Sequence, residues 1–564
     1  MKPTQEQIMA LETVPNGEDL KLNAFAGTGK TSTLVMMAEA LNPKRGLYLA
    51  FNKAIAAEAQ SKMPRNVTAR TFHSMAYSAM PPWMRERFND KEMHINDFCK
   101  RFQLFPVTYR AAVESYYKSD SNTKASIMNV NEQKKISSYK IKRLTDLALN
   151  AFMASVDEHP KSSHTHSAIM ADMPELRKEN EAVFEKLVLL ITPTIQYLWA
   201  DYSSPEGQLA IGNNHGVYFK YWAVTQPVIN YDFVLFDEAQ DADPLMLQIL
   251  QKQSCQVIYV GDKHQQIYAW RGAVNALEQI KAKELYLTKS FRFGQALADQ
   301  CKPILNVLNE TQRFEGTDHP TIINKSNIGN IAEYKKYNAC LCRTNAEVVL
   351  TVLELAGAGI PCKTNIDTKS IVDTLFDMKE LQDNTKRVDL GQMDVPLYQT
   401  KNKKIHFHSW EEFVTYMNDF NNEPELAVTF NIFMNYQLGE ITDALKVAKN
   451  KDGVTVTTAH KAKGLEWDSV ILKGDFLKGF FEYNKDAIKQ RIMQECSIYD
   501  RDAWEKRGGR LTDLVPVIRT GSGVEDELRL LYVALTRAKK MLDISMVDKV
   551  FTDFFKMHAL LRKG

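Results

Sequence analysis

The chain has 564 residues, 44% hydrophobic and 25% charged, with 25 Gly and 19 Pro; these ordinary globular values exclude collagen-like and broadly disordered chains and predict several compact units. Its 71 basic and 69 acidic residues leave a net charge of +2, which excludes a histone-like coat of nucleic acid but permits a local basic track. Apolar runs such as Val183–Ile195 are short and broken by charge, the N-terminus lacks a basic-then-apolar leader, and seven scattered Cys make no disulfide framework, so the expectation is a cytoplasmic or nucleoid-associated enzyme with reduced thiols and no membrane partner.

In chain order, the pattern predicts a helix over Gln5–Thr13, a turn at Pro15-Asn16-Gly17 and a strand over Leu20–Ala24. That strand runs into Ala26-Gly27-Thr28-Gly29-Lys30-Thr31-Ser32 and a helix reaching Leu41. A Gly-rich turn between strand and helix presents backbone N–H groups to phosphates at the positive end of the helix dipole. Lys30 is placed to reach the β- and γ-phosphates of ATP and the Thr31 hydroxyl to hold Mg²⁺. Ala24 stands where the usual pattern has its first Gly. A second strand, Gly46–Phe51, precedes an Ala-rich helix, Lys53–Lys62, and this alternation argues for a parallel sheet with crossovers.

From about Pro81 to about Pro205 the chain reads as a polar, Lys-rich helical insertion without a strong strand. Within it, Lys118, Lys124, Lys134, Lys135, Lys140, Lys142 and Arg143 form either a phosphate-contacting face or a solvated helix face. His159, His164 and His166 read as a flexible Ser-rich loop rather than a metal site. Strands return at Phe233–Phe236 and Gln256–Val260, and the first of them ends in Asp237-Glu238-Ala239-Gln240-Asp241. An apolar strand ending in adjacent carboxylates suits Mg²⁺–nucleotide hydrolysis: Asp237 at the metal, Glu238 orienting or deprotonating water. A second alternation follows Lys289, with strands at Ala339–Cys342, Gly453–Thr458 and Ser469–Lys473 and a polar, locally aromatic insertion from about Thr368 to about Asn450.

Asp-Glu-Ala-Gln-Asp and the run Val260-Gly261-Asp262-Lys263-His264-Gln265-Gln266-Ile267-Tyr268-Ala269-Trp270-Arg271-Gly272-Ala273 resemble motifs II and III of superfamily 1 helicases of the UvrD/Rep type. Ser290-Phe291-Arg292-Phe293 resembles motif IV, where that family more often has Asn-Tyr-Arg. Thr458-Ala459-His460-Lys461-Ala462-Lys463-Gly464-Leu465-Glu466 resembles motif V, and Leu531-Tyr532-Val533-Ala534-Leu535-Thr536-Arg537-Ala538 motif VI. Details such as Phe-Asn-Lys-Ala and Ser-Phe-Arg-Phe-Gly are most similar to the motor portion of the F-box DNA helicases; the P-loop lies so early that no F-box is expected.

The resemblance implies an α/β fold of two RecA-like P-loop NTPase domains with parallel sheets, each carrying an inserted subdomain. The implied division is 1–80 with 206–288, its insertion 81–205, then 289–367 with 451–564, its insertion 368–450 being short for a UvrD-type enzyme. Gln7 resembles the adenine-reading Gln, Phe291 the ring that stacks on adenine, Glu466 the acceptor of a ribose hydroxyl and Gln265 the γ-phosphate sensor. Arg292 and Arg537 resemble arginine fingers that reach the phosphate when the domains close. The implied DNA contacts are Phe51, Asn52 and Lys53; Thr71, Phe72 and His73; Tyr268, Trp270 and Arg271; and His460. Trp270 is suited to sequence-tolerant base stacking. The activity implied is that of a monomer-capable, ATP- and Mg²⁺-dependent translocase and helicase on single-stranded DNA and tailed or forked duplexes, moving 3′ to 5′ in replication, repair or recombination. Two alternatives stand beside it: a translocase that displaces proteins and unwinds weakly, and an ATP-gated DNA-binding component of a larger assembly.

Overall fold

The computed structural model describes residues 2–50, 52–117, 126–174, 176–225, 227–267, 276–326, 330–366, 368–384, 395–399, 404–407, 410–419, 424–448, 452–476, 481–482, 517–518, 522–549, 551–552 and 555. Two six-stranded sheets organise it. The first runs in the order Val67–Thr71, Gly46–Ala50, Phe233–Phe236, Gln256–Gly261, Leu20–Ala24, Lys283–Leu287, all parallel. The second runs Ile322–Asn324, Ala538–Asp543, Trp467–Leu472, Ala339–Cys342, Val454–Thr458, Cys362–Thr364, again all parallel. Inner strands such as Phe233-Val-Leu-Phe236 and Ala339-Cys-Leu-Cys342 are buried at every position. A strand covered on both faces must be a continuous apolar run, which is why these elements are legible as strands. The α/β class is as expected from the alternation.

The turns that follow Ala24, Phe236 and Gly261 all leave the carboxyl edge of the first sheet, the edge where ligands bind in open parallel sheets. Ala24 ends its strand 2% exposed, paired with Leu287. Its backbone is ordinary strand, so no Gly is required at that position.

The segment between the first sheet's third and fourth strands in chain order carries helices Ser138–Ala154, Ser162–Asp172, Glu181–Tyr202 and His215–Val224. Their apolar faces join one core cluster with the sheet, through Phe152, Phe184, Ile191, Phe219 and Phe236. Two readings need correction here. The insertion is not without strands: Val107–Tyr117 and Ser126–Ile136 pair as an antiparallel ribbon. Its signal is period two, with Val107 and Tyr109 buried and Thr108 and Arg110 exposed, an amphipathic pattern too polar to stand out as a buried strand. His164 and His166 lie on the helix Ser162–Asp172, not in a loop, and His164 is buried against the Phe152 ring beside Asp157.

The candidate basic face is largely neutralised. Lys134 pairs with Glu179 at 2.9 Å, Lys142 with Asp146 at 2.6 Å, and Lys140 and Arg143 both with Asp172. Lys118 and Lys124 lie outside the described residues. In the segment 368–450, helices Lys369–Asn384, Trp410–Asp419 and Pro424–Asn435 enclose a small core of Met378, Leu381, Phe413, Met417 and Leu426.

Candidate nucleotide cleft and nucleic-acid interface

The Gly-rich turn is built by two left-handed residues, Gly27 at φ +75° and Gly29 at φ +79°. A Cβ on Gly27 would meet Ser290 Oγ at 2.5 Å and Arg292 Cβ at 2.6 Å, so the strand Lys289–Gly294 is seated directly on the turn. The Phe291 N–H donates to Gly27 O at 2.8 Å, a main-chain bond between the two. Lys30, Thr31 and Ser32 form the first turn of the helix Lys30–Ala40, and Lys30 Nζ lies 3.5 Å from Ala24 O. Thr28 is buried, its hydroxyl donating to Phe25 O at 2.8 Å. The Ala26 N–H donates to the Tyr532 hydroxyl at 3.2 Å.

Gln7 and Phe291 approach Gly29 from either element, each 3.4 Å from the position a Cβ would take. Gln7 is held by a capping box: its side-chain oxygen accepts from the Thr4 N–H at 3.0 Å, and its amide donates to Thr33 Oγ1 at 2.9 Å. The structure thus brings the adenine-reading candidates to the phosphate turn.

Asp237 and Glu238 follow the strand Phe233–Phe236, Glu238 at φ +53°. Asp237 is 5% exposed; its Oδ2 accepts from the Tyr48 hydroxyl at 2.5 Å and its Oδ1 from the Glu238 N–H at 2.9 Å. Burial, and then the neighbouring Glu238, push the Asp237 carboxyl up to about 6. Glu238 is held below its usual range because Lys30 and then Lys463 outweigh its burial. Gln240 is fully buried and fixes Glu238, donating to its Oε2 at 2.5 Å while accepting from the Asp262 N–H at 3.0 Å.

Residues from the second sheet's side complete the cleft. Arg537 is 1% exposed, with Nε donating to Val533 O at 2.8 Å, Nη1 to Leu465 O at 3.2 Å and Nη2 to Gln265 Oε1 at 3.2 Å. Burial and the adjacent Arg292 lower its pKa to about 9. Gln265 in turn donates to Asp262 Oδ2 at 2.7 Å. Lys463 forms a buried ion pair with Asp241 and donates to Gln265 O at 2.8 Å. Burial pushes Asp241 up to about 6 against the pull of Lys463. Arg292 donates to Thr536 O at 3.0 Å and pairs with Glu466 at 2.7 Å. The finger candidate and the ribose-reading candidate therefore hold each other.

Oxygen donors at Thr31 and Asp237 are the set that a hard divalent cation takes, and Gly27 and Gly29 adopt the left-handed backbone of a phosphate-cradling turn. The residues fit both groups.

A separate groove of about 720 Å³ is lined by Lys53, Arg70, His73, Ser74, Tyr77, Ser78, His215 and Tyr218. Tyr77 and His73 stack edgewise on Tyr218, with centroids 5.7 and 5.9 Å apart. Desolvation by these rings, and then His215, hold the His73 pKa below the ordinary range. Cations interleaved with rings suit a sugar–phosphate strand with unstacked bases. Asn52 caps the helix Lys53–Lys62 and Thr71 caps Phe72–Ser78, both by side-chain oxygens. Phe72 is a correction: it is 2% exposed, packed edge-on against Phe236, and is core rather than a DNA contact. Its apolar neighbours Met75 and Ala76 carry that helical signal. His460 stands half-buried just past the strand Val454–Thr458. Phe51, Tyr268, Trp270 and Arg271 lie outside the described residues. Sequence reasoning did not single out Tyr48, Asp241, Asp262, Lys463, Tyr532, Arg70 or Tyr218. Only Asp241, Asp262, Lys463 and Tyr532 carried a signal, being embedded in recognisable motifs.

Residues 1–284 match the UvrD/REP helicase N-terminal domain, and residues 368–549 match the UvrD-like helicase C-terminal domain. F-box DNA helicase 1 of Gallus gallus is 27% identical over 97% of this chain and 49% of its own length. F-box DNA helicase protein 1 of Schizosaccharomyces pombe is 28% identical over 96% of this chain and 57% of its own. A probable DNA helicase II homolog of Mycoplasma genitalium is 21% identical over 95% of this chain and 84% of its own. The chain spans about half the length of the two F-box helicases. With both domain models matched in order along it, the chain belongs to the UvrD/REP family of DNA helicases.

Proposed function

We propose that this chain is an ATP-driven translocase and helicase on single-stranded DNA, monomer-capable, moving 3′ to 5′ and acting in replication, repair or recombination. The division proposed with it is a first motor domain of residues 1–80 and 206–288, a second of 289–367 and 451–564, and insertions at 81–205 and 368–450. The observation that carries the reading is the contact of Arg537 with Gln265, a guanidinium from beyond the second sheet's last helix reaching the turn beside the first sheet's carboxylates. A cleft completed only when both sheets contribute couples hydrolysis to closure.

In this reading Lys30 and the amides of Ala26 to Ser32 hold phosphates, Thr31 and Asp237 hold Mg²⁺, Gln7 and Phe291 hold adenine, and Glu466 takes a ribose hydroxyl. Mg²⁺–ATP supplies the phosphoanhydride whose hydrolysis drives movement. Glu238 orients water, and Arg292 and Arg537 offset negative charge at the reacting end. The groove around Lys53, His73 and Tyr77 carries the strand. The polarity proposed follows the family resemblance.

The test is ATP turnover with and without single-stranded DNA, followed by unwinding of 3′-tailed against 5′-tailed duplexes. Turnover stimulated by DNA and unwinding confined to 3′ tails are expected. Turnover indifferent to DNA overturns the reading, and unwinding from 5′ tails overturns the polarity. Protein-coated strands in the same assay separate unwinding from protein displacement.

A further inference from the structure

Asp237 is held from three directions by its neighbours. Its backbone N–H donates to Leu49 O at 3.1 Å. Its Oδ1 accepts from the Glu238 N–H at 2.9 Å, and its Oδ2 accepts from the Tyr48 hydroxyl at 2.5 Å. Two of these three anchors come from one strand, Gly46–Ala50, which pairs in parallel with Phe233–Phe236 and sets Tyr48 opposite Leu235. Tyr48 itself is 0% exposed and packed among Leu22, Leu34, Phe233 and Leu235 in the core of the first sheet.

Such a tyrosine is an unusual choice for a core strand position. An apolar residue there would bury as much surface without bringing in a hydroxyl that needs a partner. The ring is fixed by packing, so the hydroxyl has one place to point. It points at the carboxylate that the proposed function puts at the metal. A carboxylate with two rotatable bonds presents its free lone pairs in a fixed direction only when both oxygens are held. Here each oxygen has one donor, which leaves the second lone pair of each for a ligand.

We propose that Tyr48 is the positioning residue for the divalent cation: it fixes the Asp237 carboxylate plane, so that metal bound with nucleotide meets a pre-aimed oxygen. This rests on the assignment of Asp237 to the metal. Partners of ligating groups are worth about 10–100-fold in metal affinity when removed. The Tyr48 hydroxyl bonds to Asp237 and Tyr48 is not among the residues that line the groove, so the effect of removing that hydroxyl is expected at the metal.

The experiment uses the full chain with Glu238→Gln to stop turnover, ADP as nucleotide and Mn²⁺ as the spectroscopic stand-in for Mg²⁺. Mn²⁺ affinity is read by electron paramagnetic resonance, nucleotide affinity without metal by a fluorescent ADP analogue, and folding by thermal melting. Tyr48→Phe keeps the ring and removes only the hydroxyl. It is expected to weaken Mn²⁺ about 10–100-fold while metal-free ADP affinity stays unchanged. In the chain with Glu238 intact, Tyr48→Phe should raise the Mg²⁺ concentration for half-maximal turnover and leave kcat at saturating Mg²⁺ nearly as it was. A general packing defect would instead lower ADP affinity and kcat at every Mg²⁺ level, and that result overturns the proposal. So does unchanged Mn²⁺ affinity in Tyr48→Phe when Asp237→Asn has lost it. If Asp237→Asn also binds Mn²⁺ as tightly as the parent, the metal assignment falls and takes this proposal with it. If Tyr48→Phe melts too low to assay, the pair is read as a cycle in ADP-stabilised protein. The Asp237→Asn, Tyr48→Phe double variant should then lose no more Mn²⁺ affinity than Asp237→Asn alone, and additive losses overturn the proposal.

Discussion

Arg537 Nη2 donates to Gln265 Oε1 across 3.2 Å, joining the helix Ser522–Leu535 of one sheet's side to the turn after Gly261 on the other. All three of its nitrogens are spent on Val533 O, Leu465 O, Thr536 Oγ1 and Gln265. Arg537→Ala removes a charge placed across the cleft and leaves those acceptors short of a donor. DNA-stimulated ATP turnover should fall about a thousandfold or more. Affinity for single-stranded DNA without nucleotide should be unchanged. Binding titrations beside turnover assays check this, and turnover retained with DNA binding lost would falsify the placement.

Glu238 is the carboxylate fixed by Gln240 and pulled down by Lys30 and Lys463. Glu238→Gln should slow hydrolysis about 10²–10⁴-fold and keep nucleotide affinity, since the change is isosteric and removes only the acceptor for a water proton. Lys30→Ala should lose both hydrolysis and nucleotide affinity. Single-turnover rates and nucleotide titrations separate the two.

Gly27→Ala tests the seat between the phosphate turn and the strand Lys289–Gly294. The backbone there is left-handed at φ +75°, costing a non-glycine residue roughly 1–2 kcal/mol, and the new Cβ would press on Ser290 and Arg292. Gly17→Ala is the control, with φ +80° and nothing within 4 Å. Urea unfolding should show a larger loss for Gly27→Ala than for Gly17→Ala; equal losses mean the two elements are not in tight contact.

Lys53→Ala should lower the slope of log affinity against log salt by about 1, because one phosphate contact is removed from the groove. Tyr77→Ala should reduce affinity with little change in slope, as a stacking contact releases no counterion. Single-strand titrations at several salt concentrations report both. An unchanged slope for Lys53→Ala excludes that side chain from the track.

Glu310 supplies a pH-dependent contribution. Its carboxylate is nearly buried, accepting from His264 Nε2 at 2.7 Å and from the Gln312 N–H at 2.8 Å, with Lys263 at 3.0 Å. These donors outweigh burial and bring its pKa down to about 2 from an ordinary 4.5. A depressed carboxylate stabilises the fold fully above its unfolded pKa, and that gain is lost as pH falls toward its folded value. The gap in urea midpoint between the parent chain and Glu310→Gln should shrink as pH falls below about 4.5. A gap that grows below about pH 4.5 contradicts the assignment.

Legibility in the sequence tracks burial. Strands such as Phe233–Phe236 sit under helices on both faces, so their residues are apolar without interruption. The ribbon Val107–Tyr117 escaped notice because its start alternates buried Val107 and Tyr109 with exposed Thr108 and Arg110. Short strands such as Cys362–Thr364 and Ile322–Asn324 escaped because three residues carry no period. Within the cleft, Lys30, Asp237 and Arg537 sit in motifs whose spacing encodes their chemistry. Tyr48 does not: a buried tyrosine in an apolar strand reads as packing, and only its 2.5 Å distance to Asp237 gives it a role. Phe72 shows the converse error, since a place in a DNA-contacting motif does not say which way a ring turns. The ion pair of Lys463 with Asp241 joins residues 222 positions apart, a separation at which no local pattern could pair them.

A single residue, Thr288, separates the last strand of the first sheet, Lys283–Leu287, from the strand Lys289–Gly294 that sits on the phosphate turn. Its N–H and hydroxyl are both held by the Glu6 carboxylate, at 2.7 and 2.6 Å. A tether this short cannot lengthen, so the two halves are unable to slide apart at this crossing. In the proposed motor, closure at this crossing would be a swing, with travel set by angle multiplied by distance from the pivot. The clamp belongs to Glu6, the immediate neighbour of Gln7, so the proposed pivot lies one peptide bond from the side chain proposed to read adenine.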